Sequence, residues 1–100
     1  MSIESVTNTI REKVGTDCGL GGSIKFNCGA DGMVTVDASV VPNVVTNDDV
    51  SAQCTVKIKL GDLEDMLGGK LDPMTAFGLG KLQLEGDIGV AMKLGTLMRR

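Results

Sequence analysis

The sequence predicts an α+β fold, a mostly antiparallel sheet that is wet on one face and carries helices on the other. Two patterns support this. Ile24, Phe26 and Cys28 alternate with Lys25 and Asn27, and Cys54, Val56, Ile58 and Leu60 alternate with Thr55, Lys57 and Lys59. That period of two is the signature of half-buried strands. Elsewhere apolar residues recur at helical spacing, as in Leu63, Met66 and Leu67, which gives a stripe that packs on a neighbour. A sheet with one solvated face is mostly antiparallel, and its helices cover the other face.

Taken in order, Ile3, Val6, Ile10 and Val14 predict a first helix, with Ser2 as N-cap, Glu4 in the first turn and Gly15 as the stop. After the bend Gly19-Leu20-Gly21-Gly22, the strand through Ile24 and Phe26 is followed by Asp31-Gly32 and then by Val34, Val36 and Ala38 alternating with Thr35 and Asp37. This reads as a hairpin. Val40-Val41-Pro42-Asn43-Val44-Val45 is apolar, but Pro42 has no amide to donate, so any strand here is short and at an edge. Thr46-Asn47-Asp48-Asp49 reads as a loop. Asp62 is expected to cap the helix of Leu63, Met66 and Leu67, which Gly68-Gly69 ends. Asp72-Pro73 starts another, with Met74 and Phe77 as its inward residues. Leu82 and Leu84 then point away from Lys81, Gln83 and Glu85 on a last strand, and Gly86-Asp87 turns the chain into a final helix.

A chain of 100 residues is expected to form one domain, residues 1–100, around a modest core. Its formal net charge is −3 and its only basic cluster is Arg99-Arg100, so nucleic acid is not an expected partner. No apolar run approaches the roughly 20 residues of a membrane span, and the start is too polar for a signal peptide. The expected location is cytoplasmic. Cys18, Cys28 and Cys54 are odd in number and lack CxxC spacing, so they read as reduced, packed thiols, Cys18 alone being placed to react. With Phe26 and Phe77 the only aromatics, the interior falls to Met, Leu, Val and Ile.

The final helix is too apolar for an ordinary surface helix. Ile88, Ala91, Met92 and Met98 share one side, Val90, Leu94 and Leu97 widen the arc, and Lys93 and Thr96 leave a narrow polar wedge. A stripe of about 100° suffices to pack on a sheet. The excess is buried either by the other helices or by an apolar ligand held between the helices and the sheet. Burying about ten methylenes gains on the order of 8 kcal/mol before the costs of association, with no charged anchor required.

Residues 54–94, CTVKIKLGDLEDMLGGKLDPMTAFGLGKLQLEGDIGVAMKL, carry a more specific signal. Lys70, Pro73, Ala76, Phe77, Gly80, Lys81, Leu82, Gly86, Ala91, Lys93 and Leu94 fall in the order G-K-x-x-P-x-x-A-F and G-K-L-x-x-x-G-x-x-x-x-A-x-K-L. This stretch closely resembles the sterol carrier protein 2 family, and the order of elements upstream agrees with it. The resemblance implies a five-stranded, mixed but mainly antiparallel sheet with helices on one face and an apolar tunnel between them. The tunnel would bind fatty acid, fatty acyl-CoA, phospholipid or sterol without transforming it. By position, Phe77, Leu79, Leu82, Leu84, Ile88, Ala91, Met92 and Leu94 become candidate lining residues, with Met66 and Leu67 behind them. The sequence departs from the family at Gly78 and Leu79, where a bulky apolar residue and a glutamine are common, and this bears on ligand class. It also ends Met98-Arg99-Arg100, without the peroxisomal signal of eukaryotic relatives.

Catalytic chemistry finds little footing. There is no histidine, the commonest general base and metal ligand. Asp62, Glu64 and Asp65 lack the ligand alternation and central glycine of a calcium loop. Gly78-Leu79-Gly80-Lys81 lacks the spacer and following hydroxyl of a phosphate loop, and it precedes a strand. The expectation is therefore a binding protein and not an enzyme, with no metal or cofactor. Its partners would be a lipid or fatty acyl ligand, a membrane met transiently and at most a weak homodimer. The competing expectation is an accessory or dimerisation module whose apolar helix surface meets a partner protein.

Overall fold

The computed structural model describes residues 2–98, and Arg99-Arg100 lie outside the described residues. Five strands, β1 (Ser23–Asn27), β2 (Met33–Asp37), β3 (Val44–Thr46), β4 (Cys54–Ile58) and β5 (Leu82–Gly86), form one sheet in the order β3-β2-β1-β4-β5. β1 and β4 run parallel, and every other neighbouring pair is antiparallel. The expected α+β fold with a mixed sheet is what forms. The hairpin between β1 and β2 closes through a short 3-10 turn, Gly29–Asp31. β3 takes the edge position that Pro42 predicts, and it runs far enough to include Thr46, which was expected to open the loop.

One face of the sheet is dry. Ile24, Phe26, Val34, Val36, Cys54 and Val56 are fully buried there and form the core with Val6, Ile10, Val14, Leu63, Met66, Leu94 and Leu97 from the helices. The other face is less open than the alternation implies. Residues 47–53 lie over part of it, where the Thr35 hydroxyl donates to the Asp48 carbonyl at 3.0 Å and Lys25 pairs with Asp49 at 2.7 Å. Thr35 is buried as a result.

Helix α1 (Ile3–Val14) starts at a reciprocal cap in which the Ser2 hydroxyl accepts from the Ser5 amide at 3.2 Å and Ser5 Oγ accepts from the Ser2 amide. Helix α2 (Leu60–Leu67) begins earlier than expected, with Lys59 at the N-cap. Leu60 therefore leaves the strand, and Asp62 lies inside the first turn, where its charge favours the helix N-terminus without capping it. Helix α3 (Pro73–Gly78) is capped as expected: the Asp72 carboxylate accepts from the Met74 and Thr75 amides at 3.0 and 3.2 Å.

Two further expectations are corrected. Cys18 is not an open loop thiol: it is buried, its amide held by Asn43 Oδ1 at 2.8 Å. The final helix is broken into α4 (Ile88–Ala91) and α5 (Leu94–Met98). At the break the Lys93 amide bonds to Val90, three residues back, while its ammonium donates to the Leu20 carbonyl at 3.2 Å. Breaking the helix lets Val90 and Ala91 face inward together with Leu94, Leu97 and Met98. A straight helix would bring only part of that wide apolar arc to the core. Among the described residues no helix is long and apolar enough to cross a membrane.

Candidate functional site

Strand β5 forms an edge of the sheet, with α3 on one side of its helix-facing surface and α4 on the other. Between them lies a groove of about 320 Å³ lined by Met74, Phe77, Leu84, Ile88, Ala91 and Met92. Among the described residues no charged side chain lines it. Leu84 is half-buried and Ala91 buried at its floor, while Phe77 is 51 %, Ile88 55 %, Met74 73 % and Met92 77 % exposed along its rims. Single exposed apolar residues are ordinary, but four large ones around one groove form the kind of patch that marks a binding surface. Each such side chain gains about 1.5–3 kcal/mol on full burial.

The walls are set by local capping and by Gln53. Asp87 Oδ1 accepts from the Gly89 and Val90 amides at 2.8 and 3.3 Å, which starts α4. The Asp87 amide in turn donates to the Gln53 carbonyl at 2.7 Å. Gln53 is itself held to the start of β1: its Oε1 accepts from the Ser23 amide at 3.0 Å and its amide donates to Ser23 Oγ at 2.9 Å. Between β5 and α4, Gly86 adopts φ +99°, and a Cβ there would collide with the Gln53 carbonyl oxygen. Only glycine fits this corner without strain.

The residues nominated by the sequence divide into three sets. Phe77, Leu84, Ile88, Ala91 and Met92 meet in the groove. Met66, Leu82 and Leu94 are buried in the protein core, and Leu67, also buried, flanks a smaller hollow between α1 and α2. Leu79 is 64 % exposed in the turn after α3 and does not line the groove. Met74 lines the groove beside Phe77 but was expected, with Phe77, to point inward. Pro73 and Ala76 are the inward pair of α3 instead. The three-residue spacing put Met74 and Phe77 on one face, and the direction of that face is set by Ala76, small enough to be fully buried against the core.

All three cysteines are free and buried. Burial pushes the Cys28 thiol up to about 11 from 9.0, with the Asp31 carboxylate adding to the effect. Burial, and then the Asp87 carboxylate, also raises Cys54. Cys28 and Cys54 are therefore protonated, poorly nucleophilic thiols at neutral pH.

A profile of the SCP-2 sterol transfer family matches residues 18–99. The chain belongs to that family. Sterol carrier protein 2 from Bos taurus is 44 % identical over 55 residues, 55 % of this chain and 10 % of the bovine protein. This chain thus matches about a tenth of that relative's length. Non-specific lipid-transfer protein-like 1 from Caenorhabditis elegans is 35 % identical over 98 residues, covering 89 % of this chain and 83 % of the nematode protein. Among solved structures, the crystal structure of sterol carrier protein 2-like 2 from Aedes aegypti superposes with a TM-score of 0.77 at 26 % identity, over 95 % of this chain and 94 % of the mosquito chain. The solution structure of the same mosquito protein in palmitated form gives a TM-score of 0.72 at 27 % identity, over 100 % of this chain and 96 % of the other. Membership of the SCP-2 family accords with the five-stranded sheet and with the ordered motif of residues 54–94.

Proposed function

We propose that this chain is a single lipid-binding domain that carries a fatty acyl or other largely apolar lipid without transforming it. The observation that carries the reading is the groove of residues 74–92, whose rims hold Phe77, Ile88 and Met92 in water with no charged group among them. Such a surface gains from a flexible apolar chain and offers nothing to a charged substrate. The palmitated state of the mosquito relative and the lipid-transfer name of the nematode relative support the same class of ligand. The absence of histidine from the sequence and the protonated state of Cys28 and Cys54 favour binding over catalysis. The proposed setting is the cytoplasm, with transient contact with membranes as the source of lipid.

Displacement of a fluorescent fatty acid, with native mass spectrometry of protein purified from cells, tests this. A dissociation constant below roughly 100 μM, equivalent to about −5.5 kcal/mol, is expected. No retained lipid and no displacement up to that concentration overturns the proposal, and turnover of an acyl-CoA by the purified chain overturns its non-enzymatic part.

A further inference from the structure

Edge strand β5 has a second, chemically opposite site on its other face. There, at the ends of β1 and β4 and the start of β5, a depression of about 340 Å³ is lined by Lys57, Lys59, Lys81, Asn27 and Gln83 together with residues 28, 29, 58 and 80. The sheet register builds this lining. Asn27 pairs with Lys57 across the parallel strands and Lys57 with Gln83 across the antiparallel ones, so the three side chains stand in a row. Lys59 and Lys81 flank the end of that row.

Three further observations bear on what the depression accepts. Among the described residues the other cations are mostly engaged: Arg11 and Lys13 on the Val45 and Met98 carbonyls, Lys25 on Asp49, Lys93 on the Leu20 carbonyl. Lys59, Lys70 and Lys81 have no such partner among the described residues, and two of these three meet in the one depression. Lys57 pairs with Glu85 at 3.0 Å, and among the described residues no carboxylate lines the depression itself. The side-chain oxygen of Asn27 is already used by the Gly29 amide at 2.9 Å, which leaves its NH₂ as the free end. Three lysines and two side-chain amides therefore line one depression in a chain whose net charge is −3.

We propose that this depression binds a phosphate group. Several donors around one hollow suit an oxyanion with three or more acceptor oxygens better than a single carboxylate. The assignment stands independently of the apolar groove, which opens on the opposite face of β5.

Titration with inorganic pyrophosphate at constant ionic strength, followed by amide chemical shifts, tests it. The expected result is shifts concentrated in residues 27–29, 57–59 and 80–83, and at least a tenfold loss of affinity in the Lys59→Gln/Lys81→Gln double variant. Lys70→Gln, which removes the unpartnered ammonium outside the depression, should leave affinity unchanged. Both variants alter exposed side chains, and thermal denaturation checks that they remain folded. A parallel titration with dihexanoyl phosphatidic acid identifies the source of the phosphate. Shifts in the depression together with Phe77, Ile88 and Met92 support a lipid headgroup, and shifts with pyrophosphate alone support a free phosphate. Shifts scattered over all the surface lysines, an equal loss in Lys70→Gln, or no response to either probe overturns the proposal.

Discussion

The Asp87 amide donates to the Gln53 carbonyl at 2.7 Å, and this bond fixes the start of α4 to the start of β4. The same aspartate caps α4 through its side chain. Asp87→Ala removes the cap and keeps the backbone bond. The expected cost is about 1 kcal/mol, a fall of roughly 4–8 °C in Tm for a domain of this size. Asp87→Asn keeps an accepting oxygen and should cost much less. Thermal denaturation of the pair separates the cap from the charge.

At the neighbouring corner, Gly86→Ala places a methyl group against the Gln53 carbonyl and forces a β-carbon onto a backbone with φ +99°. Both effects act against the folded state. A loss of about 2 kcal/mol or more is expected, measurable by urea denaturation. Gly78→Ala is the control, since its added carbon meets nothing within 4 Å.

Met92 and Leu94 are two residues apart and have opposite surroundings, 77 % and 2 % exposed. Met92→Glu should change stability by no more than about 0.5 kcal/mol while weakening fatty acid binding at least tenfold, about 1.4 kcal/mol. Leu94→Ala should cost about 2–5 kcal/mol of stability. Equal losses of binding and stability in Met92→Glu would assign Met92 to the packing of the domain and remove it from the site.

Cys28 gives the fold an alkaline limit. Its pKa is raised from 9.0 to about 11 in the folded protein, so the unfolded chain loses its proton first as pH rises. Stability attributable to this thiol is intact below about pH 9 and is lost progressively as pH rises toward about 11. Cys54, also raised, acts in the same direction. Denaturant unfolding at a series of pH values should show the decline, and Cys28→Ala should make it shallower.

The parts of the fold legible in the sequence were those set by near neighbours. Ile24 and Phe26 alternate with polar residues, Ser2 and Asp72 cap the helices they precede, and Pro42 keeps its segment at the edge. Features that depend on distant partners were hidden. The loop over the polar face is held through Thr35 and Asp48, 13 residues apart, and the helix break has Lys93 reaching a carbonyl 73 residues away. The candidate site follows the same division. The ordered motif picked out Phe77 and Ala91, with Ile88 and Met92 nominated by their place in the same stretch, but nothing local distinguishes Leu84 at the groove from Leu82 in the core two residues earlier on the same strand. What separates them is position along β5. Leu82 lies opposite Ile58, whereas Leu84, opposite Val56, stands where α3 and α4 leave the strand open.

Helix α4 is four residues long, and one turn fixes many dihedral angles for few hydrogen bonds of its own. Its leading end is anchored by Asp87 and Gln53 and its trailing end by Lys93 on the Leu20 carbonyl, with Val90 and Ala91 buried between them. The groove therefore has one wall built like a short bridge, fixed at both ends with its underside set into the core. Ile88 and Met92 lie on the water side of that span, and with only one turn of helical hydrogen bonds behind them solvent deuterium should reach the amides of residues 89–92 before those of β4.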